Sequence, residues 1–204
     1  MKIKQSLSIV QQRTYASISV FISFVLIILV SLTLCGCTVT KKYGPYSGKV
    51  VDSETKQPLE GAAVLIVFHT VSATVGGAVF KYADAVETET DKNGEFKVES
   101  KRILKTGILQ RWDDNGYVTI FKPGYGCYPE HIDSRPLILP SGTIPEKNYV
   151  VFELPSLKTK EQREKYLCGR NLAAPLSKQR HLIRLLNRER RALGYETFYS
   201  EDTK

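Results

Sequence analysis

The sequence predicts a mainly β chain: a β-sandwich preceded by an apolar segment and followed by a basic helical tail. Three observations predict it. Between Tyr43 and Leu154, short apolar runs alternate with Gly, Pro, Asn and Asp, the punctuation of strands and turns. Residues 20–30 (VFISFVLIILV) hold one polar residue, Ser23. After residue 156 the apolar spacing changes to the i, i+4 repeat of a helix. The 204 residues are 42% hydrophobic and 25% charged, which excludes a disordered or collagen-like chain.

The N-terminal 36 residues read as a secretory signal. Lys2, Lys4 and Arg13 make a positive start, and no acidic residue precedes Asp52. The apolar run suits a signal better than a membrane span, which takes about 20 residues. Leu34-Cys35-Gly36-Cys37 then places Leu at −3 and Gly at −1 of Cys37. This tetrapeptide resembles the bacterial lipobox. The resemblance implies cleavage before Cys37, a diacylglyceryl group and palmitate on it, and a short lipidated linker over 37–44. Cys35 fits less well because Leu34 precedes it. Thr38 stands where inner-membrane lipoproteins carry Asp, which points to the periplasmic face of the outer membrane. Cleavage removes three positive charges and lowers the formal charge from +8 to +5. An exported chain meets an oxidising compartment, where Cys127 and Cys168 are either disulfide partners or two free thiols. A bond closing that loop contributes about 4 kcal/mol.

The β region runs from 45 to 155. Ser47–Asp52 reads as a strand, followed by a polar turn through Pro58. Val64, Ile66 and Phe68 share one strand face and point inward, as do Phe96 and Val98. Gly76-Gly77 turns an extra hairpin within 71–86, either packed on the sandwich or offering an apolar loop for recognition. Asn93-Gly94 and Asn115-Gly116 are hairpin signals, and Tyr149–Leu154 is the last strand. About seven short strands point to a sandwich.

Four pieces then fall in one order: Gly48-x-Val50-x-Asp52, Thr55-x-x-Pro58-Leu59-x-Gly61-Ala62-x-Val64, Thr90-Asp91-x-x-Gly94-x-Phe96 and Lys122-Pro123-Gly124-Tyr125. Together they resemble a carboxypeptidase regulatory-like domain. The resemblance implies a seven-stranded, transthyretin-like (prealbumin-like) sandwich and no peptidase activity of its own. The stretches after Phe68 and between Cys127 and Asn148 are longer than that pattern.

Catalytic patterns are absent. None of His69, His131 and His181 stands in H-E-x-x-H, and no G-x-S-x-G, phosphate loop or CxxC occurs. Glu89-x-Asp91-x-Asn93-Gly94 resembles a calcium loop only until its twelfth position, where Ser100 replaces the expected Glu. His131-x-Asp133 has no nucleophile near it in sequence. The expectation is no catalytic residue, no metal and no cofactor.

The tail, residues 156–204, is basic: 157–191 holds eleven Lys and Arg against three Glu. Leu157–Leu167 and Leu176–Leu193 read as helices, with Leu182, Leu186 and Leu193 on one side, Pro175 at a start and Gly194 at an end. This helix either lies on the sandwich with its charged face solvated, or Arg184, Arg188 and Arg191 contact an anionic surface of phospholipid, lipopolysaccharide or cell-wall polymer. An exported location argues against nucleic acid. The chain therefore reads as a membrane-anchored envelope lipoprotein with a non-catalytic binding or assembly module, whose partner is an envelope protein, an anionic lipid or a cell-wall polymer. An enzyme using the loops around His69 and His131, and a purely structural spacer, stay open as alternatives.

Overall fold

A computed structural model describes residues 21–27, 39–105, 110–136 and 142–197. Residues 21–27 form a helical stretch, α1, with exposed side chains. Among the described residues no helix is long and apolar enough to cross a membrane. Residues 28–38, with Cys35 and Cys37, lie outside the described residues.

From Val39 the chain forms one compact unit. Its described residues form nine strands: β1 (Thr40–Tyr43), β2 (Tyr46–Asp52), β3 (Ala63–Thr74), β4 (Gly77–Glu89), β5 (Glu95–Val98), β6 (Lys101–Leu104), β7 (Arg111–Phe121), β8 (Thr143–Ile144) and β9 (Tyr149–Leu154). They make a three-stranded sheet β5-β2-β9, a four-stranded sheet β4-β3-β7-β8 and a separate ribbon β1-β6. Pairing is antiparallel except between β2 and β9. The two larger sheets enclose one core: Tyr46 and Val50 from β2, Val64, Ile66 and Phe68 from β3, Phe96 and Val98 from β5, and Phe152 and Leu154 from β9. The alternation read from sequence thus points those side chains inward, as period-2 geometry requires. β1 begins at Thr40, inside the stretch expected to be linker.

Two turns differ from expectation. Asn93-Gly94 joins β4 to β5, but β5 pairs with β2, so the turn is a corner between sheets and not a hairpin. Asp91 Oδ1 accepts from the amides of Asn93 and Glu95 at 2.9 and 2.8 Å. Gly94 has φ +74°, and a Cβ there would lie 2.5 Å from the Val50 carbonyl oxygen. Only glycine meets both demands. Asp113–Gly116 makes no hairpin either. Phe68 pairs with Gly116 and Thr70 with Trp112, so Asp113, Asp114 and Asn115 bulge from a continuous β7. Asp113 Oδ1 accepts from the Asn115 amide at 3.1 Å. The turn-forming residues were legible, but their chemistry makes a bulge because β3 continues alongside.

The tail folds back as α2 (Lys160–Lys165), a 3-10 turn at Leu176–Lys178 and α3 (Arg180–Leu193). It is shorter in helix than the two expected segments. Leu182, Leu185 and Leu186 pack on Ala63, Leu65, Val67, Ala85 and Phe121, on the sheet face opposite the core. Each such leucine contributes about 2 kcal/mol. Gly194 adopts φ +87° and closes α3, as expected. No side chain of the preceding residue, Gln179, caps the start. Glu87 of β4 does so instead, accepting from the His181 and Leu182 amides at 2.9 and 2.7 Å. A carboxylate there also suits the positive end of the helix dipole.

Gly116 is needed for space and not for a turn. A Cβ there would stand 3.0 Å from Ile66 Cγ2 and from the Tyr46 hydroxyl. Gly116→Ala should lower stability by about 1–3 kcal/mol through overpacking, measured by denaturant unfolding. An unchanged midpoint would show that the core yields there.

Candidate functional site

Past the amino-terminal start of α3, β3 and β4 run on as a long hairpin, and β7 follows as far as Val71. The expected hairpin is present, but its two-residue turn is Val75-Gly76, with Gly77 already in β4 and paired to Thr74. Tyr117 lies opposite Val67, so it shares the outer face that α3 covers lower down. There three rings meet edge to face: His69 with Tyr117 at 5.2 Å, His69 with Phe80 at 6.2 Å and Phe80 with Tyr117 at 6.4 Å. Phe80 is 54% and Val79 44% exposed. Beside them opens a recess of about 330 Å³ bounded by Val71, Ala78, Phe80, Arg111, Asp113 and Tyr117.

The recess has one polar wall. The Tyr117 hydroxyl donates to Asp113 Oδ2 at 2.8 Å. Burial and that carboxylate push the phenol up to about 12. The Asp113 carbonyl accepts from the Tyr43 hydroxyl and from Lys41 Nζ, which also pairs with Asp114. Burial holds the His69 imidazole below its ordinary range, against the opposing pull of Asp113. Its Nδ1 is buried with no hydrogen-bond partner among the described residues. A neutral ring among rings suits contact with apolar or aromatic groups.

His131 belongs to a different place. It is buried, its ring lies tilted against Tyr166 with centroids 4.3 Å apart, and Gly126 leaves it room, since a Cβ there would lie 2.6 Å away. Its Nδ1 accepts from the Asp133 amide at 3.1 Å. The expected His–Asp neighbours therefore meet through backbone and not through the carboxylate. A cleft of about 210 Å³ lies between Cys127, Glu130, His131, Lys165 and Tyr166. Burial raises the Glu130 carboxyl. Cys127 and Cys168 are joined as a disulfide, with Cα atoms 5.7 Å apart. Glu130 approaches both sulfurs, but bonded sulfurs are not thiolates and make poor metal ligands. Asp91 of the calcium-like stretch is committed to its own turn.

The basic tail is partly neutralised. Arg163 grips Glu189 with two bonds of 2.7 Å, Lys178 meets Asp84 and Lys158 meets Glu54. Glu189 is 2% exposed and accepts the Gly124 amide as well. That buried acid was not read from sequence. Its i+7 place after Leu182 was the available signal, because it puts Glu189 on the buried side of the helix. Arg184, Arg188 and Arg191 are exposed along α3, spaced four and three residues apart as one stripe. Arg184 also lies against His181 Nδ1.

Comparison with family models, with curated proteins and with solved structures gave no match. The function therefore rests on the chemistry of these surfaces.

The folded chain disfavours protonation of His69, whereas the unfolded chain takes up a proton near pH 6.5. Stability is fully present above that pH and falls as pH drops below it. His69→Phe keeps a ring and removes the titration. The melting temperature of the variant relative to the wild type should rise between pH 7.5 and pH 5. Parallel curves would mean that His69 protonates freely in the fold.

Proposed function

We propose that the protein is an envelope lipoprotein, held by acylated Cys37 on the periplasmic face of the outer membrane. Its β-sandwich serves as a non-catalytic binding or assembly module. The observation that carries this reading is the order of features at the N-terminus. A positive start, an apolar run and Leu34-Cys35-Gly36-Cys37 are followed, after two residues, by strand β1 at Thr40.

The carboxypeptidase regulatory-like, transthyretin-like reading is supported by how its motif pieces pack on one another. Thr90 Oγ1 donates to the Leu59 carbonyl at 2.6 Å and accepts the Ala62 amide at 2.9 Å. Gly94 sits against Pro58 and the Leu59 amide. Two sequence pieces roughly thirty residues apart thus form one corner of the fold. The non-catalytic reading is supported by the separation of His69 and His131 into different clusters. The exposed arginine stripe of α3 suits an anionic envelope partner.

Cys37→Ala should abolish incorporation of labelled palmitate and release the protein from the membrane fraction. Undiminished labelling would overturn the assignment. Reversing the charge at Arg184, Arg188 and Arg191 should weaken retention on acidic envelope material in a pull-down, and equal retention would remove α3 from the contact.

A further inference from the structure

The ribbon β1-β6 offers two faces of different chemistry. Lys41 pairs with Ile103 and Tyr43 with Lys101. These side chains point toward the sandwich: Tyr43 and Ile103 are buried, Lys41 bonds to Asp114, and Lys101 bonds to Asp84 at 2.6 Å. The opposite face carries Thr40 with Leu104 and Lys42 with Arg102, all four exposed. Lys42 and Arg102 meet no carboxylate among the described residues. The cations turned inward have acidic partners, and the two turned outward stand directly across from each other. Like charges in that position repel, so this face gains when an anion comes to it. Val39 and Leu104, 59% and 62% exposed, extend the same end as an apolar rim, joined by the Lys105 amide donating to the Val39 carbonyl at 2.8 Å.

We infer that this face is the membrane-docking surface of the protein, lying on the anionic phospholipid of the bilayer that holds the anchor. The inference rests on acylation of Cys37. Two residues lie between Cys37 and Thr40, three steps along the chain and a reach of at most about 11 Å. Lys42 stands two residues further along β1, at most about 18 Å from Cys37, so a lipid on Cys37 brings the ribbon up to the charged headgroups, whose field falls off over about 8 Å, and leaves Lys42 and Arg102 to settle into it. The anchor and the face then act together: one supplies proximity, the other orientation. The sandwich is held in one attitude and does not swing freely on its tether.

Lysine footprinting tests this on the protein produced from its full-length sequence in a bacterial host, extracted in detergent and reconstituted into vesicles. One set of vesicles is phosphatidylcholine, and the other contains about 30% phosphatidylglycerol. Acetylation of Lys42 by an activated ester should be at least threefold slower in the anionic vesicles, while Lys92, on the turn at the β4–β5 corner, serves as the internal control. Arg102→Glu should remove the protection. Reversal at Arg184, Arg188 and Arg191 should leave it in place. Equal Lys42 rates in both vesicles overturn the inference, as does protection that survives Arg102→Glu but is lost with the α3 reversals. Intact mass separates the two levels: a missing acyl mass overturns the lipoprotein reading, whereas an acylated protein with unprotected Lys42 overturns only the docking face.

Discussion

Six consecutive residues of β3, Ala63 to Phe68, are buried. A strand in an antiparallel sandwich normally shows one side to water. Here the even positions face the core, and the odd ones need a second cover on the other side. The tail supplies it. α3 is therefore part of the fold's hydrophobic economy, although its sequence is dominated by charge. Beyond the amino-terminal start of α3 the same sheet face continues with rings and, among the described residues, no helix above it, and that boundary defines the aromatic patch around His69.

The cover is placed by carboxylates. Glu87 satisfies the first amides of α3, which otherwise have no side-chain cap. Glu189 binds Arg163 and the Gly124 amide, joining α3 to α2 and to the loop after β7. Asp84 links β6 and the 3-10 turn through Lys101 and Lys178. Such paired groups contribute geometry more than net energy, because desolvation offsets much of their attraction. They fix where a greasy helix settles on a greasy sheet, which apolar contact alone leaves loosely specified.

Much of the fold was legible because period-2 burial marks itself: Val64, Ile66, Phe68, Phe96 and Val98 all point as the alternation requires. The ribbon was not legible. β1 and β6 read as Thr-Lys-Lys-Tyr and Lys-Arg-Ile-Leu, too short and too charged to register as strands before their partners are known. The bulge at Asp113–Asn115 was misread because turn residues report a local bend and cannot report whether a neighbouring strand runs past it. The aromatic patch was half visible. Its hairpin could be read from Gly76-Gly77, but His69, Phe80 and Tyr117 come from three strands, and only their register brings them together. The buried Glu189 shows that a charged letter in a helix does not declare its own surroundings.

The sulfur link between Cys127 and Cys168 spans 41 residues, and β8, β9 and α2 all lie inside that covalent loop. Tension applied at the carboxyl end would travel through Cys168 to Cys127 and on into β7. The parallel seam between β2 and β9 would be bypassed. β9 is thereby sheltered from the tail, so a partner tugging on α3 would load the helix and the strands that precede Cys127, β2 among them, and leave β9 outside the covalent path.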